Sequence, residues 1–164
     1  MIEISQNLSD KDYKKAIALH YFGYKYTWIS PILGVLMSIT FMISALLNPG
    51  TIDNKLIFAI LFSVYLIIRP FLYIQNVFKS QKSNKTLLKE TEIKITEDNK
   101  MITMIGENSS SINLLDLYSY MDKKNFLILY LAKNQYQIID KRLLKNSESE
   151  ILTAKLKELG IKNR

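Results

Sequence analysis

The stretch LIFAILFSVYLIIRPFLYIQNVFKSQKSNK, residues 56–85, begins as hydrocarbon and ends as a basic, polar tail. Arg69 is the only charge in residues 56–74, and Pro70, a helix breaker, follows it. As a helix, residues 56–74 cover about 28 Å, close to the roughly 30 Å hydrocarbon core of a bilayer. Arg69 then lies about 7 Å from the basic end of the span, so its guanidinium can snorkel to the phosphates while its stem stays in lipid. Pro70 removes one backbone donor, which predicts a kink as the chain leaves the membrane. Tyr65 and Tyr73, one turn either side, offer ring faces to the guanidinium. Neither apolar run holds an acid to pair with Arg69. We therefore read it as an interfacial anchor in preference to an ion or partner site.

On the N-terminal side, residues 28–47 carry no charge over 20 positions, again the length of a membrane crossing. Pro31 falls in the first turn, where a missing N–H costs little. The segment NPGTIDNK, residues 48–55, is a compact turn, too short for a domain. The expectation is a two-helix transmembrane hairpin over 28–78, with spans 28–47 and 56–74. Before it, in region 1–27, Ile2 and Ile4 alternate with polar neighbours as a short strand. Ser9-x-x-Asp12 reads as a helix start. Tyr13, Ala16, Ile17, His20, Tyr21 and Tyr24 recur at helical spacing. Tyr24, Tyr26 and Trp28, with Tyr73 from the second span, suit the headgroup layer, where a ring is half buried and its polar tip is wet.

The formal net charge is +7, and its distribution matters more than its size. Residues 79–90, a basic connector, carry +3, whereas residues 91–164 carry only +2. Lysines flank both outer ends of the hairpin and the tight turn has one, which orients both termini toward the cytoplasm. Lys79, Lys82 and Lys85 are the candidates for lipid-headgroup contact, each worth about 1 kcal/mol near an anionic surface. A nucleic-acid reader would concentrate its charge on the folded domain, so no nucleic-acid partner is expected. There is no cysteine and one histidine, His20, which excludes disulfides, thiolate sites and multi-histidine metal sites. No nucleophile elbow or phosphate-binding glycine loop occurs. We expect no enzyme activity, no cofactor and no metal.

After residue 90 the pattern turns from helical to alternating. TEIKIT, residues 91–96, is a strand with Ile93 and Ile95 inward, and residues 97–99 turn into a partner over 101–105. GENSS, residues 106–110, turns again. Residues 112–120 supply one or two strands, 126–131 (FLILYL) a strongly apolar one, and 136–140 its return. Ser147-x-x-Glu150 is a capping box, and Ile151, Leu152, Leu156 and Leu159 form a helix face ending at Gly160. Residues 91–164 are thus expected to form an α+β cytoplasmic domain, an antiparallel meander closed by a C-terminal helix.

This layout resembles the YcxB-like family of small bacterial membrane proteins. The resemblance rests on the N-terminal strand, the LSDKDY helix start, the hairpin, and the order of elements in INLLDLYSYMDKKNFLILYLAKNQYQIIDKRLL, residues 112–144. The chain departs from the family pattern at Leu114 or Leu115, where a tryptophan is common, and at Asp140, where a proline is common. The resemblance implies a pleckstrin-homology-like half-barrel to which Ile2 and Ile4 add an edge strand, and it conveys no ligand. Two function classes follow. One is a membrane adaptor or regulator that binds a protein, a lipid headgroup or a second copy of itself. The other is an immunity protein that neutralises a toxin at the cytoplasmic membrane.

Overall fold

The computed structural model describes residues 1–47, 50, 54–83, 90–133 and 135–164. The turn expected at 48–55 and the middle of the basic connector, Lys85 included, lie mostly outside them. The chain divides into two compact units. One joins residues 1–16 to 81–164; the other is residues 17–80.

The first unit, the β-module, is built of two antiparallel sheets. Strands β1 (Ile2–Gln6), β2 (Thr91–Ile95), β3 (Lys100–Ile105) and β4 (Asn108–Asn113) follow one another across one sheet; β5 (Ser119–Asp122), β6 (Phe126–Ala132) and β7 (Gln135–Asp140) form the other. β1 pairs with β2 along its whole length, Ile2 opposite Ile95 and Gln6 opposite Thr91. Strands neighbouring in space are therefore separated by the entire 7–90 segment. Their isoleucines face one core with Met101, Leu127, Leu129 and Ile139.

The two sheets meet through Gln6, which is buried. Its side-chain amide donates to the Ile138 carbonyl (2.6 Å) and accepts from the Asp140 N–H (3.0 Å). One side chain thus supplies the donor and acceptor that a neighbouring strand would present to β7. At the far edge, β5 is closed by the chain's last residues: the Tyr120 N–H donates to the Lys162 carbonyl and the Arg164 N–H to the Tyr120 carbonyl, both at 2.9 Å.

β6 explains its own sequence. Phe126 to Tyr130 are all buried, so both faces of the second sheet are covered and the strand has no reason to alternate. Leu127 and Leu129 enter the core between the sheets. The opposite face lies toward the start of α1 (Asp10–Phe22), whose Tyr13 shares a cavity wall with Tyr136 and Ile138.

Local rules account for most boundaries, with three corrections. The turn expected over 106–110 is only two residues long. Gly106 takes φ +60°, as the first position of a tight hairpin turn asks, and β4 resumes at Asn108. α4 (Asn146–Glu158) starts earlier than the Ser147 box implied: the Glu148 carboxylate accepts from the Lys145 N–H at 2.9 Å, and the Lys145 backbone is the cap. Ile151 is exposed, and the buried stripe of α4 is Leu152 and Leu156, with Leu159 half-buried beside it. The helix does stop at Gly160, φ +72°, where the Ile161 N–H reaches back to the Leu156 carbonyl. Ser9 opens α1 as its pattern suggests, its Oγ accepting from the Asp12 N–H.

The second unit holds the C-terminal end of α1, a 3-10 turn at Lys25–Trp28, α2 (Ile29–Leu47) and most of α3 (Asn54–Ser83). α3 is one helix through Pro70 and runs on for 13 residues beyond it. At about 45 Å it is longer than a bilayer core.

Candidate membrane interface

The spans 25–47 and 54–80 are long and apolar enough to cross a membrane, with mean hydropathies of 2.0 and 2.2. Only 6% and 17% of their apolar windows are buried within the protein. A helix in the core of a water-soluble fold would bury most of that surface, so these apolar faces need a covering that the described residues do not provide.

Where α2 and α3 do touch, the contact is made by small residues at every fourth position of α2. The Ser30 hydroxyl donates to the Leu66 carbonyl (3.1 Å), and Ser38 Oγ lies 2.8 Å from Ser63 Oγ. Between them, a Cβ on Gly34 would stand 2.7 Å from the Ser63 carbonyl oxygen and 2.9 Å from Ile67 Cγ1. Gly34 is the buried residue of α2, and Ser63 is fully buried on α3. This Ser-x-x-x-Gly-x-x-x-Ser ridge lets two backbones approach where lipid offers no hydrophobic drive between helices.

The same contact accounts for Pro70. Proline has no N–H, so the carbonyl four residues earlier loses its helical donor. That carbonyl belongs to Leu66, the one that accepts from Ser30. A polar group that hydrocarbon would leave unsatisfied becomes an interhelical acceptor.

Arg69 follows Leu66 by three residues, so the Ser30–Leu66 bond places it within about 5 Å of Ser30 along the helix axis, near the foot of α2. Arg69 is exposed. The aromatic candidates gather at this end: Tyr73 meets Tyr21 at 4.8 Å between ring centroids, Trp28 meets Phe22 at 4.6 Å, and Tyr24 stacks on Tyr26 at 5.8 Å. Tyr26, Trp28 and Tyr73 are 68%, 49% and 45% exposed, and Tyr24 is half-buried. Thr27 holds the turn by donating to the Tyr21 and Tyr24 carbonyls, and the Trp28 indole N–H donates to the Phe22 carbonyl. His20 is buried edge-on to Tyr24.

Of the headgroup candidates, Lys79 is exposed, whereas Lys82 is engaged by Asp10 at 2.5 Å. Two residues along α1, Asp12 meets Arg142 at 2.9 Å, and Arg142 grips Asp140 with two nitrogens. The hydrogen bond from Arg142 holds the Asp12 carboxyl below its ordinary range, and burial pushes the Tyr13 phenol well above its own. Asp10 and Asp12 thus tie the first turn of α1 to the end of α3 and to the turn after β7. Sequence spacing carries no sign of pairs 72 and 130 residues apart. Beside Gln6, a cavity of about 40 Å³ lies between the sheets, bounded by Tyr13, Thr91 and Tyr136. It has room for about two waters and no larger ligand. Among the described residues no cluster of histidine, aspartate or glutamate is placed to hold a metal ion.

No protein-family model, curated protein or solved structure matches this chain.

Proposed function

We propose that the chain is a non-catalytic, membrane-anchored adaptor or regulator. Its hairpin spans a bacterial inner membrane, and its β-module works on the cytoplasmic side, binding a protein or a lipid headgroup. The observation that carries this reading is the pairing of β1 with β2. Gln6 and Thr91 are register partners, so they occupy one compartment. A chain that leaves that compartment through α2 must return through α3. Lysine placement then favours the cytoplasm for the module. Four strands, three strands and a closing helix, all antiparallel, are also what a pleckstrin-homology-like half-barrel needs, and this supports the YcxB-like reading of the layout. The best-placed acids serve structure: Asp122 binds Lys141 and Thr153, and Asp12 and Asp140 share Arg142.

Compartment-specific reporters test the topology. Fusions at Asn7 and Arg164 should both report the cytoplasm, and an insertion after Gly50 should report the opposite side. Asn7 and Arg164 reading opposite sides, or Gly50 reading cytoplasmic, would overturn the hairpin.

A further inference from the structure

Among the described residues, the edges of β7 and β5 are met by other parts of the chain. β1 and β7 are joined by Gln6, and β5 is capped by residues 162–164. Among the described residues, the outer edge of β4 has no neighbouring strand. Its register fixes which backbone groups it presents. The two-residue turn makes Ile105–Asn108 a hydrogen-bonded pair, so the pairs alternate and those at Ser109 and Ser111 are not bonded to β3. The N–H and C=O groups of Ser109 and Ser111 therefore point away from the sheet. Natural edges are guarded by charge, proline or a bulge. β4, NSSSIN, has none of these, and its register with β3 is regular throughout.

We propose that this edge pairs with the β4 edge of a second copy, joining two four-stranded sheets into one of eight. Antiparallel pairing of like strands has a two-fold axis, the symmetry of most homodimers. Placing the axis at Ser111 sets Ser111 opposite Ser111 of the second copy, and Ser109 opposite Asn113, so the outward groups of each strand meet. The charges agree with this register. Residues 108–113 carry none, so no like charges are opposed. One end of the edge is acidic, at the exposed Glu107; the other has the exposed Lys100, the register partner of Asn113. Antiparallel pairing places the Glu107 end of each copy beside the Asn113 and Lys100 end of the other. Asp116 also lies beyond Asn113, but the chain has by then turned off into the 3-10 turn Leu114–Asp116. Small serines allow the close approach. This inference goes beyond the adaptor reading and does not depend on the hairpin crossing a membrane.

The chain has no cysteine, so Ser111→Cys in the full-length protein gives a clean probe. Facing residues in a bonded antiparallel pair lie about 5.5 Å apart, inside the range a disulfide spans. In lipid nanodiscs or mild detergent, light scattering should find a dimer. Ser111→Cys should cross-link about tenfold faster or more than Lys124→Cys on the β5–β6 turn, as expected of a preformed contact. Ser111→Pro removes an outward N–H while sparing the ladder to β3, so it should give a monomer with an unchanged melting temperature. A monomeric wild type would overturn the proposal. So would a dimer that survives Ser111→Pro, which would place the interface in the hairpin or elsewhere. Equal cross-linking rates at the two positions would overturn it as well. None of these outcomes alters the reporter result for the hairpin.

Discussion

β6 and α2 are both long apolar runs, and the molecule treats them in opposite ways. Five consecutive residues of β6 are buried, between a core on one side and a second covered face on the other. Nineteen residues of α2 bury one, a glycine. In β6, stability comes from removing side-chain area from water. In α2, large side chains such as Ile32, Leu36 and Leu46 point away from the protein, and the contact with α3 is made by what is small or missing. Apolar content alone does not separate a core strand from a membrane helix. What separates them is whether the large or the small residues face the rest of the chain.

The largest expected effect tests that contrast directly. Leu129→Ala, at a fully buried position, should destabilise the β-module by about 3 kcal/mol, through lost burial and a cavity the sheets cannot close. Leu36→Ala, at a position 59% exposed, should leave the protein's stability in nanodiscs within about 0.5 kcal/mol of wild type. Denaturant titration of the full-length protein measures both. If Leu36→Ala cost as much as Leu129→Ala, α2 would be a core helix and the membrane reading would fail.

Gly34→Leu comes next, at about 2 kcal/mol. Its first added carbon already meets a backbone oxygen of α3, which cannot swing aside as a side-chain tip would. The substitution makes α2 more apolar, so insertion should persist while the two helices separate. A Ser38→Cys, Ser63→Cys pair reports the separation, because these side chains touch. Undiminished cross-linking in the Gly34→Leu background would show that the ridge does not hold the hairpin.

Much of this was readable from local pattern. The two apolar runs, the alternation at Ile93 and Ile95, the Ser9 cap and the Gly160 stop each rest on neighbours within one or two turns, where sequence spacing maps onto geometry. One mistaken detail was also local: Ile151 adjoins Leu152 in sequence but stands about 100° from it around the helix, outside the buried stripe of Leu152 and Leu156. Tertiary pairings left no such trace. Gln6 reads as an ordinary polar residue at a strand end until β7 is beside it. The Lys82–Asp10 pair joins residues 72 apart, beyond the reach of any local pattern. The ridge at Ser30, Gly34 and Ser38 was present as a four-residue spacing, but the large residues around it dominate any hydropathy reading. Arg69 drew attention as the exceptional residue of its helix, yet the neighbour that shapes the helix contact is Pro70.

The smallest effect is also the most specific, because it asks whether Pro70 and Ser30 act as one unit. Ser30→Ala removes the hydroxyl that donates to the Leu66 carbonyl. With Pro70 in place no helical N–H can replace it, so the carbonyl is left unpaired at the helix contact. Interhelical hydrogen bonds in membranes are worth about 1 kcal/mol, and the loss should be of that size. Pro70→Ala restores a backbone N–H four residues beyond Leu66 and with it the ordinary helical bond. In that background the Leu66 carbonyl has a donor of its own, and Ser30→Ala should cost little. The double-mutant cycle, read from unfolding in detergent or from the Ser38–Ser63 cross-link, should therefore show a coupling of about 1 kcal/mol. Additive effects would mean that the serine serves only as a small residue and that the Leu66 carbonyl is satisfied in another way. A coupling would make the proline the reason for the serine: a broken bond inside α3 would be the acceptor that fixes where α2 sits along it.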